Sequence, residues 1–409
     1  MNIVLEPGAA ALLDELHRAG FGAYAVGGCV RDSLLGLAPH DWDLCTAARP
    51  GQVMELFGED RCIPTGLQHG TVTVKRDGKL YEITTFRTEG RYSDGRHPDS
   101  VAFVPDLRED LARRDFTINA MAYSAEEGLC DPFGGREDLA RGVVRAVGEP
   151  LRRFGEDALR ILRLYRFAAR FGFAIDEATE AAAKQLASHL DCVSAERIEE
   201  ELNKLLAAPQ PGAYLEPEVL AFVLPELPPE ELTKARRRID ALPAGTEQVS
   251  ARWAALLLPL GETGARKALK RLKCSNARTD GAAALVRECG EKTPDTLDKC
   301  DLCLQAKRLL GKYDLHTVQQ LTVLWTALAP EEKASFDALR AEAEALTAQG
   351  VCCRISQLAV NGRDLMAAGA APGPGLRRVL EALLEEVITG RLPNEKTELL
   401  AFAAGFSAS

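Results

Sequence analysis

The chain contains no run of about 18 apolar residues, the length a helix needs to cross a bilayer, so no membrane span is expected. Met1 to Pro7 has neither the charged start nor the apolar stretch of a secretion signal, and none is expected. There is no basic excess either. The formal net charge is −10, which excludes a uniformly basic nucleic-acid coat and leaves room for a local basic groove. Histidine is scarce, at six residues, and these show neither zinc-like spacing nor a His-Asp pair of the phosphohydrolase kind. No internal repeat is evident. Cysteine numbers eleven, an odd and scattered set that reads as reduced thiols of a cytoplasmic protein. Cys300 and Cys303 form a C-x-x-C, and Cys352-Cys353 are adjacent. No partners stand at zinc spacing nearby, so Cys300 and Cys303 read as buried or half-buried helix positions.

The 409 residues suffice for two to four compact modules, and 46% hydrophobic with 27% charged residues is ordinary for a globular protein. The first 140 residues mix strand and helix signals. Ala10 to Ala19 reads as a helix. Ala23 to Val26, Trp42 to Cys45, Gly70 to Lys75 and Tyr81 to Phe86 read as strands, with Asp77-Gly78 as a hairpin turn. Thr88 to Asp99, polar and rich in Gly and Arg, reads as a mobile loop. From Leu151 onward, helical periodicity dominates. Pro and Gly cluster at Ala207–Gly212, Leu224–Pro229 and Ala370–Gly375, as breaks between helical units. The fold class is therefore α+β: an α/β head on a long, mostly helical body.

Asp41-Trp42-Asp43 places two carboxylates on one side of an expected strand. Such a pair either binds a divalent cation, Mg²⁺ being the one suited to oxygen ligands, or is a solvated strand edge. About ten residues upstream, Gly27-Gly28-Cys29-Val30-Arg31-Asp32 joins a strand to a helix. Glycines there allow close approach of a phosphate to backbone N–H groups, and Arg31 can clamp a phosphate oxygen; the bland reading is a turn with a solvated Arg-Asp pair. Asp157 and Arg160, at i and i+3 of an expected helix, offer an acceptor beside donors. Cytosine and adenine both present an amine donor next to a ring-nitrogen acceptor, while uracil and guanine present the reverse. Such a pair accepts C and A and leaves buried groups unpaired against U and G; the alternative is an ordinary helical salt bridge.

Gly27 to Asp32 with Asp41 and Asp43 resembles the catalytic core of the polymerase β nucleotidyltransferase superfamily. Within it, the chain resembles the class II tRNA nucleotidyltransferase and bacterial poly(A) polymerase family. Three further stretches carry that resemblance: Arg113-Arg114-Asp115-Phe116-Thr117-Ile118-Asn119-Ala120, Asp131 to Gly135 completed by Asp138-Leu139, and Phe154 to Arg160 with its E-D-x-x-R. The match is strong from about residue 20 to 205, including Ser194 to Ile198; beyond, it is one of helical character. The resemblance implies a head with a small mixed sheet at 1–140, a base-recognising helical neck at 141–205, a helical body at 206–260 and a tRNA-binding helical tail at 261–409. It implies addition of C, C and A to the 3′ end of tRNA from CTP and ATP, by a two-metal Mg²⁺ mechanism with Asp41 and Asp43 as ligands. Gly28, Arg31, Arg114, Asp157, Arg160, Arg163 and Arg166 would bind the nucleotide. Arg114 would meet the triphosphate or sugar, with Asp115 orienting Arg114 or a ribose hydroxyl. Gly27, Glu82 and Glu156 are further candidates, Glu82 either as a third acidic residue near the metals or as a surface-facing strand residue. The loop containing Asp94 to Pro98 would help switch from C to A addition, with His97 standing where the family usually has Arg.

Asn119 and Thr117 read as a brace at a helix start. On an ideal helix Arg166 falls opposite Asp157, so Arg163 and Arg166 also read as a basic face for RNA phosphate. The acid-free run Arg266 to Arg278 is the best tRNA-backbone contact outside the head, or a solvated helix face. Rival functions are a poly(A) polymerase, an enzyme adding only CC or only A, and a non-catalytic RNA-binding protein. Retention of Asp41, Asp43, Arg114, Asp157 and Arg160 argues against the last.

Overall fold

The computed structural model describes residues 3–90, 100–291 and 302–406. The chain divides into two compact units, residues 1–230 and 231–409. The stretches expected as head and neck thus share one unit, and the stretch 206–260 is divided between the two.

The first unit opens with α1 (Pro7–Arg18), where Glu6 accepts from the Ala9 amide and Pro7 fits the first turn; Leu12, Leu13 and Leu16 bury one face. Strands β1 (Ala23–Val26), β2 (Leu44–Thr46), β3 (Cys62–Gly66), β4 (Thr71–Arg76), β5 (Lys79–Thr85), β8 (Ala122–Ser124) and β9 (Gly128–Cys130) form one sheet among the described residues, in the order β3-β4-β5-β2-β1-β8-β9. The sheet is mixed: β2 runs parallel to β5 and antiparallel to β1. Asp77 and Gly78 turn the β4–β5 hairpin with φ of 50° and 76°, the positive pair this turn requires. Between β5 and β8 in sequence, β6 (Arg87–Glu89) pairs with β7 (Val101–Phe103). The expected loop therefore begins as a strand, and Asp94, Gly95, Arg96, His97 and Pro98 lie outside the described residues.

Helices α2 (Gly28–Leu34), α3 (Pro50–Phe57), α4 (Leu107–Ala112) and α5 (Gly135–Arg141) attach to the sheet. Leu107 and Leu111 of α4 bury beside Tyr24, Val26, Cys45, Phe86 and Ala122, so that helix sits on the sheet core and its next residues are fixed over β1. The helical layer follows: α6 (Pro150–Glu156), α7 (Leu159–Phe171), α8 (Glu177–Gln185), α9 (Ala195–Leu206) and α10 (Pro217–Val223).

The second unit is helical throughout its described residues, with Trp253 and Phe336 fully buried. A further core gathers Cys352, Leu358, Val360, Leu365, Leu383 and Leu399. Cys303 is half-buried on the helix Leu302–Lys312, while Cys300 lies outside the described residues. In the basic run, Lys267, Lys270, Arg271 and Lys273 are exposed, whereas Arg266 is paired with Glu262 and Asp280.

Candidate active site

Strand β1 ends at Gly27, whose φ of 78° and ψ of −121° belong to glycine. A Cβ there would also lie 2.8 Å from Arg114 Nη1, so the missing side chain is the space in which that guanidinium sits. Gly28 then starts α2, whose first amides are left free by helix geometry.

Asp41 and Asp43 do not lie within a strand as expected: β2 starts at Leu44, and the pair stands in the segment leading into it. The main chain of Asp43 is fixed, its carbonyl accepting from the Val26 amide at 3.0 Å. Leu44 pairs with Ile83 in parallel register, which sets Asp43 beside Glu82. The surface of Asp43 is exposed, yet the protein packed around it desolvates the carboxyl. That effect, followed by the charge of Glu82, pushes its pKa up; Arg114 opposes the shift and Asp41 adds to it. Asp41 Oδ2 lies 2.9 Å from His40 Nδ1, both side chains being almost wholly in solvent. Among the described residues, no three His, Cys, Asp or Glu side chains already converge as a ligand set. The donor chemistry nevertheless fits a hard cation: all-oxygen, with two mutually repelling carboxylates and a third on an exposed contact that a cation can outcompete.

Arg31 is buried, with Nε donating to Asp32 Oδ1 at 2.8 Å, Nη1 to Asn119 Oδ1, and its plane over Phe167 and Phe171. It braces the turn from beneath. Asn119 in turn donates to Asp115 Oδ1 at 3.0 Å. Asp115 does not orient Arg114, as expected from their adjacency. It is turned inward, where Oδ2 accepts from Arg163 Nε at 2.8 Å and Oδ1 from the Phe116 amide. Burial works to raise the Asp115 pKa, but Arg163 and Asn119 outweigh it and hold the carboxyl well below the usual range. Arg114 is instead flanked by Asp110, whose Oδ2 lies 3.5 Å from Arg114 Nη2. Thr117 is braced by Asp138 at 2.7 Å, and Gly135 passes so close that a Cβ would lie 2.2 Å from the Thr117 carbonyl.

The E-D-x-x-R stretch is not one helix. Asp157 is extended, with φ −145° and ψ 105°, and breaks α6 from α7. Its Oδ1 caps the Leu159 amide at 3.0 Å, and its carboxylate pairs with Arg197 of α9 at 2.8 Å rather than with Arg160. Arg160 pairs with Glu156 at 2.9 Å and donates to the Arg113 carbonyl at 3.1 Å. Arg153 donates to the same carbonyl at 3.2 Å and to Ala112 O at 2.6 Å. Arg163 meets Asp115, and Arg166 is buried against Glu201 at 2.5 Å. Glu156, Asp157, Arg160 and the Arg-Arg-Asp turn are thereby brought together. Arg166 is directed away from them, into the packing between α7 and α9.

Residues 23–145 match the Poly A polymerase head domain family, 172–228 a family described as an RNA and SrmB-binding site of polymerase A, and 245–403 the tRNA nucleotidyltransferase domain 2 family. A CCA-adding enzyme of Limosilactobacillus fermentum is 38% identical over 408 residues, covering 96% of this chain and 95% of the relative. That of Geobacillus stearothermophilus is 37% identical over 402 residues, covering 96% and 95%. The chain belongs to the CCA-adding enzyme family. A crystal structure of the Bacillus stearothermophilus CCA-adding enzyme in complex with CTP superposes with a TM-score of 0.81, at 33% identity, over 99% of this chain and 98% of that one. The Thermotoga maritima CCA-adding enzyme complexed with tRNA shares the fold, with a TM-score of 0.69 at 22% identity, over 98% and 96%.

Relative to that family reading, Asp110, Arg153, Arg197 and Glu201 are the residues the sequence left without a role. Asp110 was within reach, because it stands three and four positions before Arg113 and Arg114 on a helix. Arg197 and Glu201 carried no such signal, since their partners lie 40 and 35 positions away.

Proposed function

We propose that this chain adds C, C and A in turn to the 3′ end of immature tRNA, from CTP and ATP, releasing pyrophosphate. The observation that carries the reading is Arg114 lying against the Gly27 turn after interior strand β1, with Asp43 and Glu82 side by side on the neighbouring β2 and β5 chain segments. Asp41 and Asp43 would hold Mg²⁺, with Glu82 beside them; when bound, the ions supply activation of the attacking hydroxyl and charge relief for the leaving pyrophosphate. The Gly27–Gly28 turn and Arg114 take the triphosphate, and Arg31 keeps the turn rigid from its buried side. Asp157 accepts from the amine of C or A. Arg160, aimed by Glu156, donates to the adjacent ring nitrogen. Arg163 and Arg166 support this face through Asp115 and Glu201. Exposed lysines of the 266–278 run serve the tRNA backbone. The ten free cysteines among the described residues support the cytoplasm as compartment.

The deciding experiment is extension of a tRNA transcript lacking its last three nucleotides, with Mg²⁺, CTP and ATP. Three additions followed by a stop are expected. Open-ended A tails with ATP alone would mean a poly(A) polymerase. Two C residues and a stop, or A added only to a CC-ended tRNA, would mean a partial activity; no addition by folded protein would mean an RNA-binding protein. Asp41→Ala is expected to abolish all addition. In the same assay Asp157→Ala and Arg160→Ala should admit UTP and GTP, and unchanged selectivity in both would overturn the base-reading role.

A further inference from the structure

Asp110 has no exposed surface. A carboxylate persists in such a place only when it is paired and hydrogen-bonded. Its Oδ1 accepts from Arg113 Nε at 3.1 Å, from Arg113 Nη2 at 3.0 Å and from the Arg87 amide at 3.2 Å. Its Oδ2 makes no hydrogen bond among the described residues and faces Arg114 Nη2 at 3.5 Å. Arg114 is thus oriented by charge without having its donors consumed, and its Nε is buried without a partner among the described residues. Arg87 opens β6, the strand that leads out to residue 90, so one carboxylate addresses both arginines and the root of the β6–β7 hairpin.

We propose that Asp110 is a positioning residue for the incoming nucleotide: it fixes Arg114 over the Gly27–Gly28 turn and ties that placement to the base of the hairpin. The proposal rests on the reading that Arg114 meets the triphosphate. An arginine has a long, rotamer-rich stem, and ordering it at the moment of binding weakens affinity. A buried carboxylate that orders it beforehand removes that cost. The 3.5 Å separation leaves the guanidinium free to give its short hydrogen bonds to phosphate oxygens.

The test compares Asp110→Asn, Arg114→Ala and the double variant in full-length protein, by steady-state addition kinetics. Asp110→Asn keeps the shape and removes the charge. It is expected to raise the KM for CTP and ATP roughly ten- to a hundredfold, leaving the KM for tRNA and the preference for C and A unchanged. Arg114→Ala should raise the nucleotide KM at least as far, and the double variant should match Arg114→Ala alone, because the two residues act as one. An unchanged nucleotide KM in folded Asp110→Asn overturns the proposal. So does an additional, additive loss in the double variant, which marks Asp110 as structural only. If Arg114→Ala itself leaves the nucleotide KM unchanged, the role of Arg114 falls and the proposal falls with it. Should Asp110→Asn fail to fold, Asp110→Glu, which displaces the same charge by one methylene, is read by the same criteria.

Discussion

Gly27 is held at a φ of 78° while the space beside its Cα is filled by the Arg114 guanidinium. Gly27→Ala therefore strains the backbone and displaces Arg114 together. A loss of roughly 1–3 kcal/mol in denaturant unfolding is expected, accompanied by a higher KM for CTP. An unchanged KM would mean that Arg114 can serve from elsewhere. At Asp115 the sign of a pH effect follows from its depressed folded pKa. Its contribution is complete above the ordinary aspartate value of about 3.9 and is lost as pH falls through the folded value. The melting-temperature gap between the parent and Asp115→Asn should hold from pH 7 to 5 and close as acid is added below about pH 4. Gly27 stood out in the sequence because few residue types adopt a positive φ, and Asp43 because a D-x-D pair is a ready set of oxygen donors. Asp110 carried a weaker signal: it stands three and four positions before Arg113 and Arg114, but an Asp in the run Arg108-Glu109-Asp110 equally looks like a solvated helix start.

At the scale of elements, α7 is a row of arginines each met by a carboxylate from a different place. Arg160 meets Glu156 of α6, Arg163 meets Asp115 of the Arg-Arg-Asp turn, Arg166 meets Glu201 of α9, and Arg170 meets Asp32 of α2. Periodicity revealed the stripe, but only Arg160 has a local partner, Glu156 four positions away, and RNA phosphate offered itself as a partner for Arg163 and Arg166. The partners of Arg163, Arg166 and Arg170 come from tertiary contact. Periodicity also ran straight through residue 157, where the chain is extended. An aspartate that caps the next helix leaves no stronger mark than Gly155 two positions earlier. Glu201→Ala should cost roughly 3–5 kcal/mol, because it strands Arg166 as a buried charge. Thermal melts of the variant would show this, and a shift of only a degree or two would mean that water reaches Arg166.

For the whole molecule, every residue assigned to nucleotide handling lies in residues 1–230, while the exposed basic run lies in residues 231–409. The two roles should separate in kinetics. Lys267→Glu with Lys270→Glu is expected to raise the KM for tRNA and to reduce its logarithmic salt dependence by about one for each phosphate no longer neutralised, leaving the KM for CTP untouched. A rise in the CTP constant would break the separation. The α/β head and helical remainder were readable from the switch in hydrophobic period. The division at 230 follows directly on the Leu224–Pro229 cluster, one of the breaks visible in composition, but nothing in composition ranks that cluster above those at Ala207–Gly212 and Ala370–Gly375.

The carbonyl of Arg113 receives hydrogen bonds from both Arg153 and Arg160. This junction belongs to the main chain, so side chains other than proline placed at 113 leave it available, and a substitution scan of that position reports mainly on the side chain. Replacing the following amide by an ester weakens the carbonyl as an acceptor while sparing every side chain; it also removes the Arg114 N–H, which donates to the Leu111 carbonyl at 3.2 Å, so its effect is compared with that of Arg153→Ala and Arg160→Ala. The contact that joins Arg153 and Arg160 to the turn carrying Arg114 is thus stored in the main chain, where side-chain changes at position 113 do not reach it.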